Sequence, residues 1–181
     1  MVKVEVKGMS QLKAKLDRLP KAIEDAVWDA NFDIVELARA DTVREIQSST
    51  KHGSGETAGS YKDEVVINSN GHVVGRIWSD NPTAIYRELG TGQVGQASPK
   101  ELPEGVTPVY RQTPWFIPAE GLPDLNALYG MPLITIKGKK FYRTNGQPAR
   151  QALMPAIKGA KQQAPEIYKA NVQKQLRKLR G

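Results

Sequence analysis

From Lys21 to about Ser49 neither glycine nor proline interrupts the chain, and Ile23, Ala26, Val27, Ala30, Ile34, Leu37, Ala38 and Ile46 recur along one helical stripe. A helix of about 30 residues is roughly 45 Å long, more than a small globule needs. Alanine is frequent in the stripe, so a neighbouring element can approach closely. Whatever else folds has to lie along this rod, as a sheet or as a second subunit.

The flanks carry shorter signals. Val2, Val4 and Val6 alternate with charges and read as a short half-buried strand ended by Gly8. Ser10 is placed to cap a helix through Leu12, Leu16 and Leu19, and Pro20 predicts a break before the rod. A polar, glycine-rich loop is expected from Ser48 to Ser60. Tyr61–Asn68 and Val73–Trp78 surround Asn68-Ser69-Asn70-Gly71, a hairpin signal. Leu133–Ile136 and Phe141–Arg143 flank Lys-Gly-Lys-Lys and predict a second hairpin. Between them, residues 93–130 repeat proline at short intervals yet carry Tyr110, Trp115 and Phe116. A free linker rarely holds that aromatic load, so an irregular arm that docks onto something is expected. Gln151–Lys161 reads as helical, and Pro165 is placed to open a last helix over 165–181 with Tyr168, Val172, Leu176 and Leu179 in a narrow stripe. The order predicts a single α+β domain over 1–181. In it one antiparallel sheet packs with a long N-terminal helix and a C-terminal helix, and an extended Pro-rich arm is added.

With 181 residues, one self-sufficient core is feasible without staples. No cysteine is present, which removes disulfides, thiolate metal sites and thiol catalysis. Met1–Lys7 does not read as a signal peptide, and no run reaches the ~20 apolar residues of a membrane span. Of the net charge of +7, all but one unit falls from Lys158 onward. If that tail is helical, Lys174, Arg177 and Lys178 fall within about one turn, opposite Leu176 and Leu179. Such a surface suits an acidic partner or DNA phosphates touched without reading bases. A solvated face that complements the helix dipole needs no ligand at all.

Catalytic chemistry finds little purchase. Gly90-Thr91-Gly92-Gln93-Val94-Gly95 matches the dinucleotide fingerprint in letters, but no helix is expected to follow it before the Pro-rich arm. A turn that needs positive φ is the simpler account. His52 and His72, the only histidines, sit in a predicted loop and turn without metal-ligand spacing. Asp63 and Glu64 read as solvated strand edges, and Gly53-Ser54-Gly55 is too short for a nucleophile elbow. The expectation is no enzyme, no cofactor, no metal and no small-molecule substrate.

Thr83-Ala84-Ile85-Tyr86-Arg87-Glu88-Leu89-Gly90-Thr91-Gly92 resembles a signature of small neck or tail-completion proteins of long-tailed bacteriophages, a family related to lambda minor tail protein Z. Other segments are similar in the same order: Val6–Leu12 leading to Leu19-Pro20-Lys21-Ala22, then Thr113–Ala119 with Phe141–Ala149, then Leu153-Met154-Pro155-Ala156. Thr83 stands where the family often has tyrosine, and Arg150-Gln151-Ala152 replaces its usual x-proline-phenylalanine. The resemblance implies a structural virion protein of the neck or tail, assembled in the host cytoplasm, that helps join head to tail. Its partners would be copies of itself in a ring and neighbouring neck or tail proteins, with nonspecific contact to genomic DNA and no membrane. Tyr86, Glu88, Gly90, Thr91 and Gly92 would be structural: Tyr86 and Leu89 packing inward, Glu88 binding backbone donors of the turn, Gly90 and Gly92 allowing a sharp reversal. Trp115 and Phe116 would make subunit contacts, and Lys174, Arg177 and Lys178 would face DNA or an acidic neighbour. The alternative is a sequence-nonspecific DNA-binding protein that uses the basic C-terminal helix.

Overall fold

A computed structural model describes residues 8–49 and 55–180. In chain order the elements are α1 (Met9–Ser49), α2 (Glu56–Gly59), β1 (Tyr61–Ile67), β2 (Val73–Ser79), α3 (Thr83–Leu89), α4 (Gly92–Ala97), β3 (Trp115–Pro118), α5 (Leu125–Tyr129), β4 (Leu133–Ile136), β5 (Lys139–Thr144), β6 (Gly146–Gln147) and α6 (Leu153–Arg180). The class is α+β. Where the sequence suggested one domain, the chain forms two compact units. One comprises the segments 1–80 and 153–181, and the other residues 81–152. The expected strand at Val2–Val6 and the loop histidine His52 lie outside the described residues.

The first unit is built on α1, one helix of 41 residues that runs through Pro20 instead of breaking there. Proline removes the bond that residue 20 would give to the Leu16 carbonyl. Leu16 and Pro20 are both exposed, so water takes that carbonyl and the helix continues. Ser10 is not the cap: the carbonyl of Gly8 accepts the first helical bond, from Leu12 N at 3.0 Å. Of the expected stripe, Ala26, Ala30, Ala38 and Ile46 are buried and Ile23 is exposed; Ala22 and Val35, outside the expected set, are buried as well.

What covers much of that stripe is α6, which likewise runs unbroken through Pro165 where a helix start was expected. Its buried positions Ala156 and Ala160 are as small as those of α1. The cross-helix bonds fix the direction of packing. Asn171 Nδ2 donates to Asp33 Oδ2 at 2.7 Å, and one turn further Gln175 Nε2 donates to Asp29 Oδ2 at 3.1 Å. Partners run in opposite order along the two helices, so α1 and α6 are antiparallel. Asn31 Nδ2 also donates to the Tyr168 hydroxyl at 2.8 Å.

On another face of α1 lies the β1–β2 hairpin, paired from Tyr61↔Ser79 to Ile67↔Val73. Gly75 sits against Val35, with no room for a Cβ between them. Asp63, expected at a solvated edge, instead points at the helix and pairs with Arg39 Nε at 2.6 Å. At the hairpin's open end, hydrogen bonding from the Lys62 ammonium draws the exposed Asp80 carboxyl below its usual range.

In the second unit the strands form a separate three-stranded antiparallel sheet of order β3-β5-β4. The single sheet expected from sequence is therefore two, since β1–β2 pairs only with itself. The stretch anticipated as an irregular arm contains α4, β3 and α5; residues 98–114 carry no regular element. In the β4–β5 turn both Lys137 (φ +49°) and Gly138 (φ +79°) are left-handed, and Lys137 is the one described non-glycine residue with positive φ. An L side chain in that region costs about 1 kcal/mol.

Candidate docking groove

The signature segment and the proline-rich arm converge within the second unit. Thr83–Leu89 forms the short helix α3, and Gly90 ends it at φ +75° and ψ 176°. The chain reverses there and starts α4 at Gly92. This corrects the expectation that no helix follows the glycine motif. The element before the motif is a helix, however, and a dinucleotide site needs a strand. The amide of Val94, at the start of α4, already donates to the Asn145 carbonyl at 3.4 Å.

The glycines serve close packing of two chain segments. Residues 91–92 bridge to residues 146–147, Thr91 with Gln147 and Gly92 with Gly146. A Cβ on Gly90 would lie 2.7 Å from both Ala149 N and Gly95 Cα, and one on Gly92 would overlap the Asn145 carbonyl. Thr91 Oγ1 accepts from Gln147 N at 3.1 Å, which closes the crossing. Gly90, Thr91 and Gly92 thus close the crossing with residues 145–149, where the sequence suggested only that the glycines allow a sharp reversal. The partner segment, Asn145-Gly146-Gln147, was legible only as part of a family insert.

Glu88 is buried, and its Oε2 accepts from the Ala152 amide at 2.9 Å. Glu88 was expected to bind backbone donors of the turn; the donor it accepts from is instead Ala152, 64 residues along the chain. Removing a buried acceptor leaves its donor, the last amide of the unit, without a partner. Glu88→Ala is expected to cost about 2–3 kcal/mol in denaturant unfolding, by leaving the Ala152 amide unsatisfied. A loss below about 0.5 kcal/mol would show that water replaces the carboxylate there.

Tyr86 does not pack inward as expected: it is 55% exposed, while Leu89 is half-buried. The reason is the arm, which takes the inner position. Tyr110 donates its hydroxyl to the Leu89 carbonyl at 2.9 Å, and Lys100 Nζ stands 5.1 Å above the Tyr110 ring. Gln93 Nε2 reaches the Gln112 carbonyl at 2.9 Å. Tyr110 and Gln112 are thereby tied to α3 and α4 within the same unit. Between them remains a groove of about 430 Å³, lined by Ile85, Tyr86, Val106, Val109, Tyr110 and Trp115 among others. Its rim is apolar and open: Ile85 is 57% and Val109 97% exposed. Trp115 is half-buried in the groove wall with the Arg111 guanidinium 5.5 Å from its ring. Phe116, the next residue along β3, faces the other way and is exposed.

The remaining predicted residues are not brought to this groove. Lys174, Arg177 and Lys178 lie on α6 in the first unit, where Lys174 Nζ is 3.3 Å from Asp29. Arg177 and Lys178 are exposed. Among the described residues no three His, Asp or Glu side chains group to hold a metal ion. No described helix is long and apolar enough to cross a membrane. Compared with family models, curated proteins and solved structures, the chain matches none.

Proposed function

We propose that this chain is a structural protein of a long-tailed bacteriophage that acts in head–tail joining or tail completion as one subunit of a ring. The reading rests on the sequence resemblance. The structural observation that carries it is a pair of dissimilar apolar surfaces left open on one chain. On α1, Met9, Leu12 and Leu16 are each more than half exposed, and with Leu19 and Ile23 they continue a three-four spacing. That spacing is the seam of helix-to-helix packing. On the other unit the rim of Ile85, Tyr86 and Val109 is open, with Phe116 on the opposite face of its strand.

Two different patches on each copy make a heterologous contact, and a heterologous contact whose rotation closes makes a ring. A single patch paired with itself would stop at a dimer. The ring would sit around the DNA path, in contact with neighbouring neck or tail proteins.

Light scattering on the purified chain, alone and with candidate neck partners, tests this. A closed oligomer is expected, and Leu12→Glu/Leu16→Glu should weaken it at least about 100-fold, since each buried leucine is worth about 2 kcal/mol. A chain that stays monomeric with every partner, or an oligomer indifferent to those substitutions, would overturn the reading.

A further inference from the structure

Three ammonium groups crowd the β4–β5 turn with no acid beside them. Lys137 stands at the apex, and Lys139 and Lys140 open β5 on its two faces. All three are exposed, and no ion pair joins them, or Arg143, to a described carboxylate. Elsewhere Lys21, Arg39, Arg44, Lys62, Arg76, Lys169 and Lys174 each pair with an acid within 4.0 Å.

The backbone makes the same point. The apex position of such a two-residue turn is filled without strain by asparagine, aspartate or glycine. Lysine at φ +49° is strained there. Lysines that guard a sheet edge against aggregation are the ordinary alternative. Here the edge strands β3 and β4, Trp-Phe-Ile-Pro and Leu-Ile-Thr-Ile, hold no charge, and the lysines sit on the turn and the central strand.

We propose that this hairpin tip is a contact site for the phosphodiester backbone of duplex DNA, bound without regard to sequence. A turn apex is convex and offers its charges in several directions at once. A duplex presents a negative charge about every 1.7 Å of axis, so such a tip meets phosphates in any register. Lysine, a compact charge on a flexible stem, suits that demand better than a fixed bidentate fork. Arg143 is exposed on the same face of β5 as Lys139 and extends the positive surface along the sheet. The three lysines belong to the unit at residues 81–152 and the C-terminal helix to the other, and the contact does not depend on ring formation.

Fluorescence anisotropy of a short mixed-sequence duplex, titrated with the full chain over a range of salt, provides the test. Lys137→Asn/Lys139→Gln/Lys140→Gln should lower the slope of log K against log salt by about 2.7, three phosphates at about 0.9 each. Binding at low salt should weaken at least about tenfold, while the melting temperature does not fall, because asparagine is at home in the turn. Lys137→Asn alone should take about 0.9 from the slope and raise the melting temperature. Lys174→Gln/Arg177→Gln/Lys178→Gln should keep the wild-type slope. A wild-type chain that fails to bind the duplex at low salt overturns the proposal. So does a folded hairpin variant with an unchanged slope, or a chain that binds polyglutamate as tightly as DNA.

Discussion

Gly146→Ala is expected to remove about 3 kcal/mol or more from the stability of the unit at residues 81–152, a large share of what a folded domain has. Two causes act together. Gly146 has φ +109°, a conformation that only glycine adopts at low cost. A Cβ there would also overlap the carbonyl of Thr91, and Thr91 cannot retreat because it is bridged to Gln147. Gly105→Ala separates the two causes. Gly105 has φ +76° but nothing within 4 Å of an added Cβ, so it should lose only the strain, about 1 kcal/mol. Hydrogen exchange read by mass spectrometry is the suitable measurement. Loss of protection in Gly146→Ala should be confined to residues 81–152, with α1 and α6 unaffected. Equal cost at the two glycines would show that close packing of residues 90–92 against 145–147 is not what holds the unit.

How much of this was legible in the sequence depends on how local the cause is. Both hairpins were read within two residues of their observed strands, because Asn-Gly and Lys-Gly turns are decided by a few neighbouring residues. The helices α1 and α6 were visible, but their continuity was not. Pro20 and Pro165 read as boundaries because proline removes a hydrogen bond. In the structure both are exposed, where water makes good the loss. The division of the strands into two sheets was hidden, since nothing in a strand's alternation names its partner.

At the groove the same rule holds. The glycines of residues 90–95 announced tight geometry, and Glu88 announced a backbone acceptor. Their partners, Asn145–Gln147 and Ala152, lie more than 50 residues further along the chain and carry no local mark. Tyr86 was misplaced because an aromatic in a short helix is ordinarily core. Here Tyr110 of the arm takes the place beside Leu89 that Tyr86 was expected to fill.

Ala30→Leu should be the most damaging single change in the first unit, costing about 3 kcal/mol, at the upper end of what overpacking does. Ala30 is fully buried in the stripe that α6 covers, with Ala26 equally closed one turn away. Helices whose contact positions are alanine approach more closely than leucine permits, so the larger side chain must push the axes apart. The separation would stretch bonds on both sides of the seam: Asn31 to Tyr168 at 2.8 Å and Asn171 to Asp33 at 2.7 Å. These groups are part-buried, so a bond lost is only partly replaced by water. The melting temperature of a unit this size should fall by about 10 °C or more. Ala40→Leu, at an exposed position of the same helix, should change it by no more than a degree or two. If Ala30→Leu is as mild as Ala40→Leu, α1 and α6 do not pack through this stripe, and the rod's small side chains face something other than its own C-terminal helix.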